Sequence, residues 1–164
     1  MKFSPSTVQA RYESPLGPMI VAATDSGLAG LWFEGQRHLP DCSAWPRAPR
    51  HPVLLEAVAQ LRDYFAGRRT QFDLPLDLQG GTAFQRSVWH ALLAIPAGGT
   101  TSYGDISQRV GRPSAVRAVG AAVGRNPVSI VVPCHRVLGR DGSLTGYAGG
   151  LERKSALLEL EGAI

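Results

Sequence analysis

The chain has 164 residues, 44% of them hydrophobic and 18% charged, enough for one large domain or two small ones with a buried core. No apolar stretch reaches membrane-span length, and the N-terminus MKFSPSTVQARYESP lacks the apolar core of a signal peptide. The expectation is therefore a soluble, cytoplasmic protein. The net charge of +4 is unevenly placed: residues 1–79 carry eight Lys/Arg and eight Asp/Glu, residues 80–164 nine and five. A basic second half fits a solvated face or a polyanion-binding one.

The first half reads as a small α/β unit. Pro18–Ala23 and Leu28–Phe33 are strand-like, with Asp25-Ser26-Gly27 as the hairpin turn between them. Pro40, Pro46, Pro49 and Pro52 mark a loop, in which Cys42 is incidental. Leu54, Val58, Leu61 and Phe65 recur at helical spacing, which predicts a helix over 53–65 that Gly67 stops. Phe72–Leu76 is a further candidate strand. No catalytic constellation stands out in this half.

Gln79-Gly80-Gly81 is the expected boundary, giving domains 1–79 and 80–164. Thr82 and Gln85 have capping-box spacing, so a helix opens there and buries Phe84, Val88, Leu92 and Ile95 before Pro96. Ser102–Val110 and Ser114–Val123 read as two helices around Gly111-Arg112-Pro113, a length that suits a helix-turn-helix. Val116, Val119 and Val123 are the expected core face of the second helix. Its other face carries Ser114, Arg117, Ala118, Ala121 and Gly124. A major-groove reader needs several Asn, Gln or Arg side chains, and this face has one arginine. Two readings remain: small-residue packing against the rest of the chain, or close, sequence-tolerant contact with a minor groove, probed by Arg117.

The run Val131-Val132-Pro133-Cys134-His135-Arg136-Val137 carries the chemistry. The two cysteines, Cys42 and Cys134, are too far apart for a zinc site, and in a reducing cytoplasm both stay thiols. A free thiol near pKa ~8.5 needs activation before it can attack, and His135 is a base beside it. In an extended strand, Cys134 and His135 would point to opposite faces, so coupling requires a turn or a bridging water. The base in turn needs an orienting carboxylate, for which Asp141, Glu152, Glu159 and Glu161 are available. A buried, inert thiol is the competing reading of Cys134.

Val132-Pro133-Cys134-His135-Arg136-Val137 resembles the signature of the O6-alkylguanine-DNA alkyltransferases, the methylated-DNA–protein-cysteine methyltransferases. Thr82–Trp89, Ile95-Pro96, Thr101–Gly104, Ala118–Gly120, Asn126-Pro127 and Gly146–Gly150 fit that family in order and spacing. The resemblance is strong from about residue 80 onward and looser before it.

It implies a ribonuclease-H-like α/β N-terminal domain and a mostly α-helical C-terminal domain with a helix-turn-helix. It implies repair by direct reversal: O6-methylguanine, and O4-methylthymine, is flipped out of duplex DNA. The alkyl group then passes irreversibly to Cys134. By the same resemblance His135 takes the thiol proton through a water, Glu161 orients His135, and Asn126 braces the turns. Tyr103 crowds the target phosphate, Arg117 fills the gap in the stack, and Ser114, Ala118 and Ala121 approach the DNA. Tyr147 and Ala148 close over the base, and Val137 offers it a carbonyl. Ala148 stands where several relatives have serine. No cofactor or metal is implied. The implied partner is duplex DNA with alkylated bases, bound by a monomer with little sequence specificity.

Three rivals are weaker. A cysteine hydrolase needs an oxyanion hole and a distant histidine in a recognisable motif. A silent lesion-binding relative or a plain helix-turn-helix module would not need Cys134. A zinc-containing regulator needs more cysteines.

Overall fold

The computed structural model describes residues 1–164. The N-terminal half is an antiparallel sheet of β1 (Val8–Ser14), β2 (Gly17–Thr24) and β3 (Gly27–Phe33), in that spatial order. β2 and β3 form the expected hairpin, with Thr24 opposite Gly27. β1 has no counterpart among the expected strands. Its alternation is incomplete: Tyr12 and Ser14 are buried, while Arg11 and Glu13 face solvent, as suits a sheet edge.

The strand expected over Phe72–Leu76 does not form. Pro75 has no N–H to give to a ladder. The segment makes one bridge instead, Leu76 to Leu28. Leu28 N–H donates to Pro75 O at 2.7 Å and Asp77 N–H to Leu28 O at 2.8 Å. Helix α1 (Pro52–Phe65) packs across the sheet and buries Leu54, Ala57, Leu61 and Tyr64. Pro52 opens it, where a missing N–H costs nothing.

The C-terminal half is mostly helical. Helix α2 (Ala83–Leu92) opens on the capping box: Gln85 N–H donates to Thr82 Oγ1 at 3.1 Å and Thr82 N–H to Gln85 Oε1 at 2.9 Å. The helix ends at Leu92, and Ile95 is buried in the turn that follows. Helices α3 (Tyr103–Arg109) and α4 (Val116–Gly124) are shorter than the sequence suggests, and Ser102 caps α3 from outside. Two-residue strands β4 (Thr101–Ser102) and β5 (Val137–Leu138) pair in parallel, and α5 (Leu151–Leu160) ends the fold.

Val116 is not core: it is 42% exposed in the first turn of α4. The helix starts two residues later than expected, and Val119, Ala122 and Val123 make the buried face. Trp89 of α2, fully buried, donates its indole N–H to Ala122 O at 2.8 Å and locks α2 to α4.

A single cluster of 26 buried residues runs through both halves, from Tyr12 to Leu157. The outer edge of β3 joins them, because Leu31 pairs with Val128. No helix is long and apolar enough to cross a membrane.

Candidate active site

Asn126–Pro133 runs as a series of turns before Cys134. Such turns leave backbone groups without ladder partners, and Asn126 supplies some. Buried among them, its Nδ2 donates to Val132 O at 2.7 Å and its Oδ1 accepts from Val128 N–H at 3.0 Å. β3 holds the other side: Leu31 N–H donates to Pro127 O at 2.8 Å and Ser129 N–H to Leu31 O at 3.0 Å. Held this way, the chain accepts Ile130 at φ 72°. That left-handed value costs a β-branched residue about 1–3 kcal/mol.

Cys134–Arg136 is a 3₁₀ turn rather than a strand. Cys134 and His135 therefore do not point to opposite faces of a sheet. Burial pushes the Cys134 thiol up, against the lowering effect of Asn126 and the Lys154 charge. Burial likewise pushes His135 down, against Glu161. Both groups rest neutral, a thiol beside an imidazole.

Glu161 follows α5 and gathers the turn beneath itself. Its carboxylate is 2% exposed, and Oε2 lies 2.8 Å from His135 Nε2. Arg136 grips it with two donors, Nε to Oε1 at 2.8 Å and Nη2 to Oε2 at 2.9 Å. Tyr64 of α1 donates its hydroxyl to Oε2 at 2.5 Å. Burial works to raise this carboxyl, but the hydrogen bonds from His135, Arg136 and Tyr64 outweigh it and hold it at about 2. An ionised Glu161 fixes the proton of His135 on Nε2. Nδ1 is left buried and without a partner. Glu152, Glu159 and Asp141, the other carboxylates in play, are exposed.

Lys154 of α5 is fully buried. Its ammonium donates to Val137 O at 2.6 Å, Thr145 O at 2.7 Å and Gly146 O at 3.3 Å. It therefore ties the loop after Cys134 back to α5. Burial brings its pKa down to about 8, with Cys134 acting to raise it.

Cys134 opens onto a cavity of about 330 Å³. Tyr103 and the Gly120–Gly124 side of α4 form one wall, and Gly146, Tyr147 and Ala148 form another. Tyr147 places a hydroxyl without a partner in this region. Arg37 and His38 of the N-terminal half and Arg125 complete the mouth, and Arg37 N–H donates to Ala148 O at 3.1 Å. Ser114, Val116, Arg117, Ala118 and Ala121 are exposed along α4 and the turn before it.

Comparison with known proteins identifies the fold family. The family model described as "6-O-methylguanine DNA methyltransferase, DNA binding domain" matches residues 83–163. The one described as its "ribonuclease-like domain" matches residues 8–78. The chain belongs to the 6-O-methylguanine DNA methyltransferase family.

The Mycobacterium leprae methylated-DNA–protein-cysteine methyltransferase is 52% identical over 149 residues, covering 91% of this chain and 88% of the relative. That of Methanosarcina acetivorans is 46% identical over 155 residues, covering 94% and 97%. Among solved structures, Mycobacterium tuberculosis OGT in complex with DNA superposes with a TM-score of 0.85 at 48% identity, covering 96% and 92%. The chain thus has the two-domain architecture of this methyltransferase family, with a ribonuclease-like N-terminal domain and a helical C-terminal domain.

Set against the residues expected in such a methyltransferase, Cys134, Tyr103, Ala121, Tyr147 and Ala148 line the cavity. His135, Asn126 and Glu161 lie behind it, joined to the turn by the bonds above. Val137 is buried one layer back, and its carbonyl already accepts Lys154. Four further groups were not anticipated. Arg136 sits next to His135, and its pairing needed only the question of what a buried arginine would require. A lysine inside the apolar pattern of α5 was a readable signal for Lys154. Tyr64 and the Arg37 loop carry no local signal, because their partners lie 97 residues away and farther.

Proposed function

We propose that this chain repairs DNA by direct reversal, taking the methyl group of O6-methylguanine onto Cys134 once per molecule. One observation carries the reading. Cys134 forms part of a cavity wall, while the adjacent His135 has Nε2 committed to Glu161 and Nδ1 without a partner. A water between thiol and Nδ1 completes the relay. The thiol proton passes through it to His135, and sulfur attacks the methyl carbon. The C–O6 bond breaks, its electron pair passes into the guanine, and the proton finally resides on that base. Because both groups rest neutral, the thiolate develops only as the base is engaged. The product thioether has no leaving path, so turnover stops at one. O4-methylthymine is a second substrate of the same chemistry.

The base must leave the stack to reach Cys134, at about a few kcal/mol. In this reading α3 and α4 are a helix-turn-helix, with residues 80–164 as the DNA-binding and acceptor domain and 1–79 as the other. Ser114, Ala118 and Ala121 let α4 approach a minor groove closely. Arg117 enters the vacated stack, and Tyr103 crowds the phosphate. Tyr147 and Ala148 receive the base, the Val137 carbonyl being taken by Lys154 behind them, and Asn126 holds the turn beneath. The protein works as a cytoplasmic monomer without a cofactor.

The test is incubation with excess duplex carrying a single O6-methylguanine. The expected result is a burst equal to the protein concentration, no steady turnover, and one methyl group on the Cys134 peptide. Binding without transfer would mean a silent lesion sensor. Sustained turnover, or a methyl group on Cys42, would refute the reading.

A further inference from the structure

Tyr64 has no evident reason to be a tyrosine if its task is only to fill the core. It is 2% exposed, and its ring is packed edge-on to Phe65 and tilted on Phe72, with centroids 5.3 and 5.4 Å apart. A phenylalanine would fill that space. Its hydroxyl makes one hydrogen bond, to Glu161 Oε2 at 2.5 Å, across 97 residues of chain. A buried hydroxyl needs a partner, and this one has taken the carboxylate that holds His135.

We propose that Tyr64 is a positioning residue: from α1 it fixes the Glu161 carboxylate beneath His135, so the N-terminal domain is a working part of the alkyl-acceptor site. The inference rests on the methyl-transfer reading above and deepens it. Oε2 accepts from Tyr64, His135 and Arg136, whereas Oε1 accepts from Arg136 alone. Tyr64 therefore shares the oxygen that faces the imidazole. Its ring cannot drift between Phe65 and Phe72, so the carboxylate is held from a rigid helix. Burial first, and then the Glu161 charge, keep the phenol protonated far above its ordinary range, so it always donates.

The charged and titratable groups around His135 are Glu161 and Lys154 from the α5 region and Arg136 and Cys134 from its own turn. Tyr147 from the loop lies within the influence of Cys134 and Glu161, and Tyr64 from α1 reaches His135 only through Glu161. Removing the Tyr64 hydroxyl frees one lone pair of Oε2. The carboxylate then acts more strongly on His135, and the imidazolium is favoured.

The test uses Tyr64→Phe in the full chain, with histidine-labelled protein for NMR titration. The His135 pKa should rise, whereas Glu161→Gln should lower it. Methyl transfer should nonetheless slow roughly fivefold, about the value of one hydrogen bond, because a carboxylate without its anchor from α1 no longer aims the more basic imidazole. It should slow equally for duplex substrate and a free-base inhibitor. In a Glu161→Gln background, Tyr64→Phe should add less than about twofold, since coupled residues are not additive. A merely structural tyrosine would leave the His135 titration unmoved and lose rate equally in both backgrounds, which would overturn the proposal. If the wild type accepted no methyl group, the methyl-transfer reading would fail, and the His135 titration would still decide whether Tyr64 acts on the imidazole.

Discussion

Glu161→Gln tests how much of the fold depends on the site. The substitution keeps the shape and removes the charge that Arg136, His135 and Tyr64 converge on. A carboxyl that folding moves from an ordinary 4.5 to about 2 carries about 3 kcal/mol of stability at neutral pH, at about 1.4 kcal/mol per pH unit. At 2% exposure, solvent screening does not reduce this figure. It agrees with the cost of about 3–5 kcal/mol for leaving one member of a buried ion pair alone, here Arg136. The folded pKa is depressed, so the stability is fully present above the unfolded value and is lost as pH falls through the folded one. Urea unfolding should therefore show the variant about 3 kcal/mol weaker at pH ~7, with the gap about half by pH ~3. The variant's methyl transfer should also slow, and its rise with pH should move upward, because a less basic His135 leaves the thiol to ionise unaided. A stability gap below about 1 kcal/mol, or one that does not change between neutral and acid pH, would refute the reasoning.

Cys134→Ser should abolish methyl transfer while keeping the fold and lesion binding, and Cys42→Ser should leave transfer intact; intact-mass measurement reads both. Arg117→Ala should slow repair of duplex DNA much more than reaction with a free-base inhibitor, which needs no flipping; equal losses would remove Arg117 from extrusion. Lys154→Met leaves the carbonyls of Val137, Thr145 and Gly146 without their donor. Amide exchange across residues 138–149 should then quicken by about tenfold or more, and unchanged exchange would mean that the loop is held elsewhere.

Local chemistry determined a large share of this protein. The β2–β3 hairpin, the helix after the proline-rich loop and the capping box at Thr82 all follow from neighbours within a few residues. The proposed acceptor is legible there too, because Pro133-Cys134-His135-Arg136 is a contiguous run that resembles the signature of the alkyltransferases. Where local reading erred, a single residue or a helix start decided. Leu76 lies beside β3, yet Pro75 denies it a ladder. Val116 has an apolar side chain, but α4 starts at Val116, which leaves that side chain on the exposed surface. The residues alone left Glu161, Glu159, Glu152 and Asp141 open, and the resemblance pointed to Glu161; the tertiary structure separates it from the others by burying it beside Arg136 and Tyr64. Only the tertiary structure brought Tyr64 and Arg37 of the N-terminal half to the Cys134 turn and its cavity. Contacts across that much chain leave no period or spacing in the sequence; they arise when one core closes over both halves.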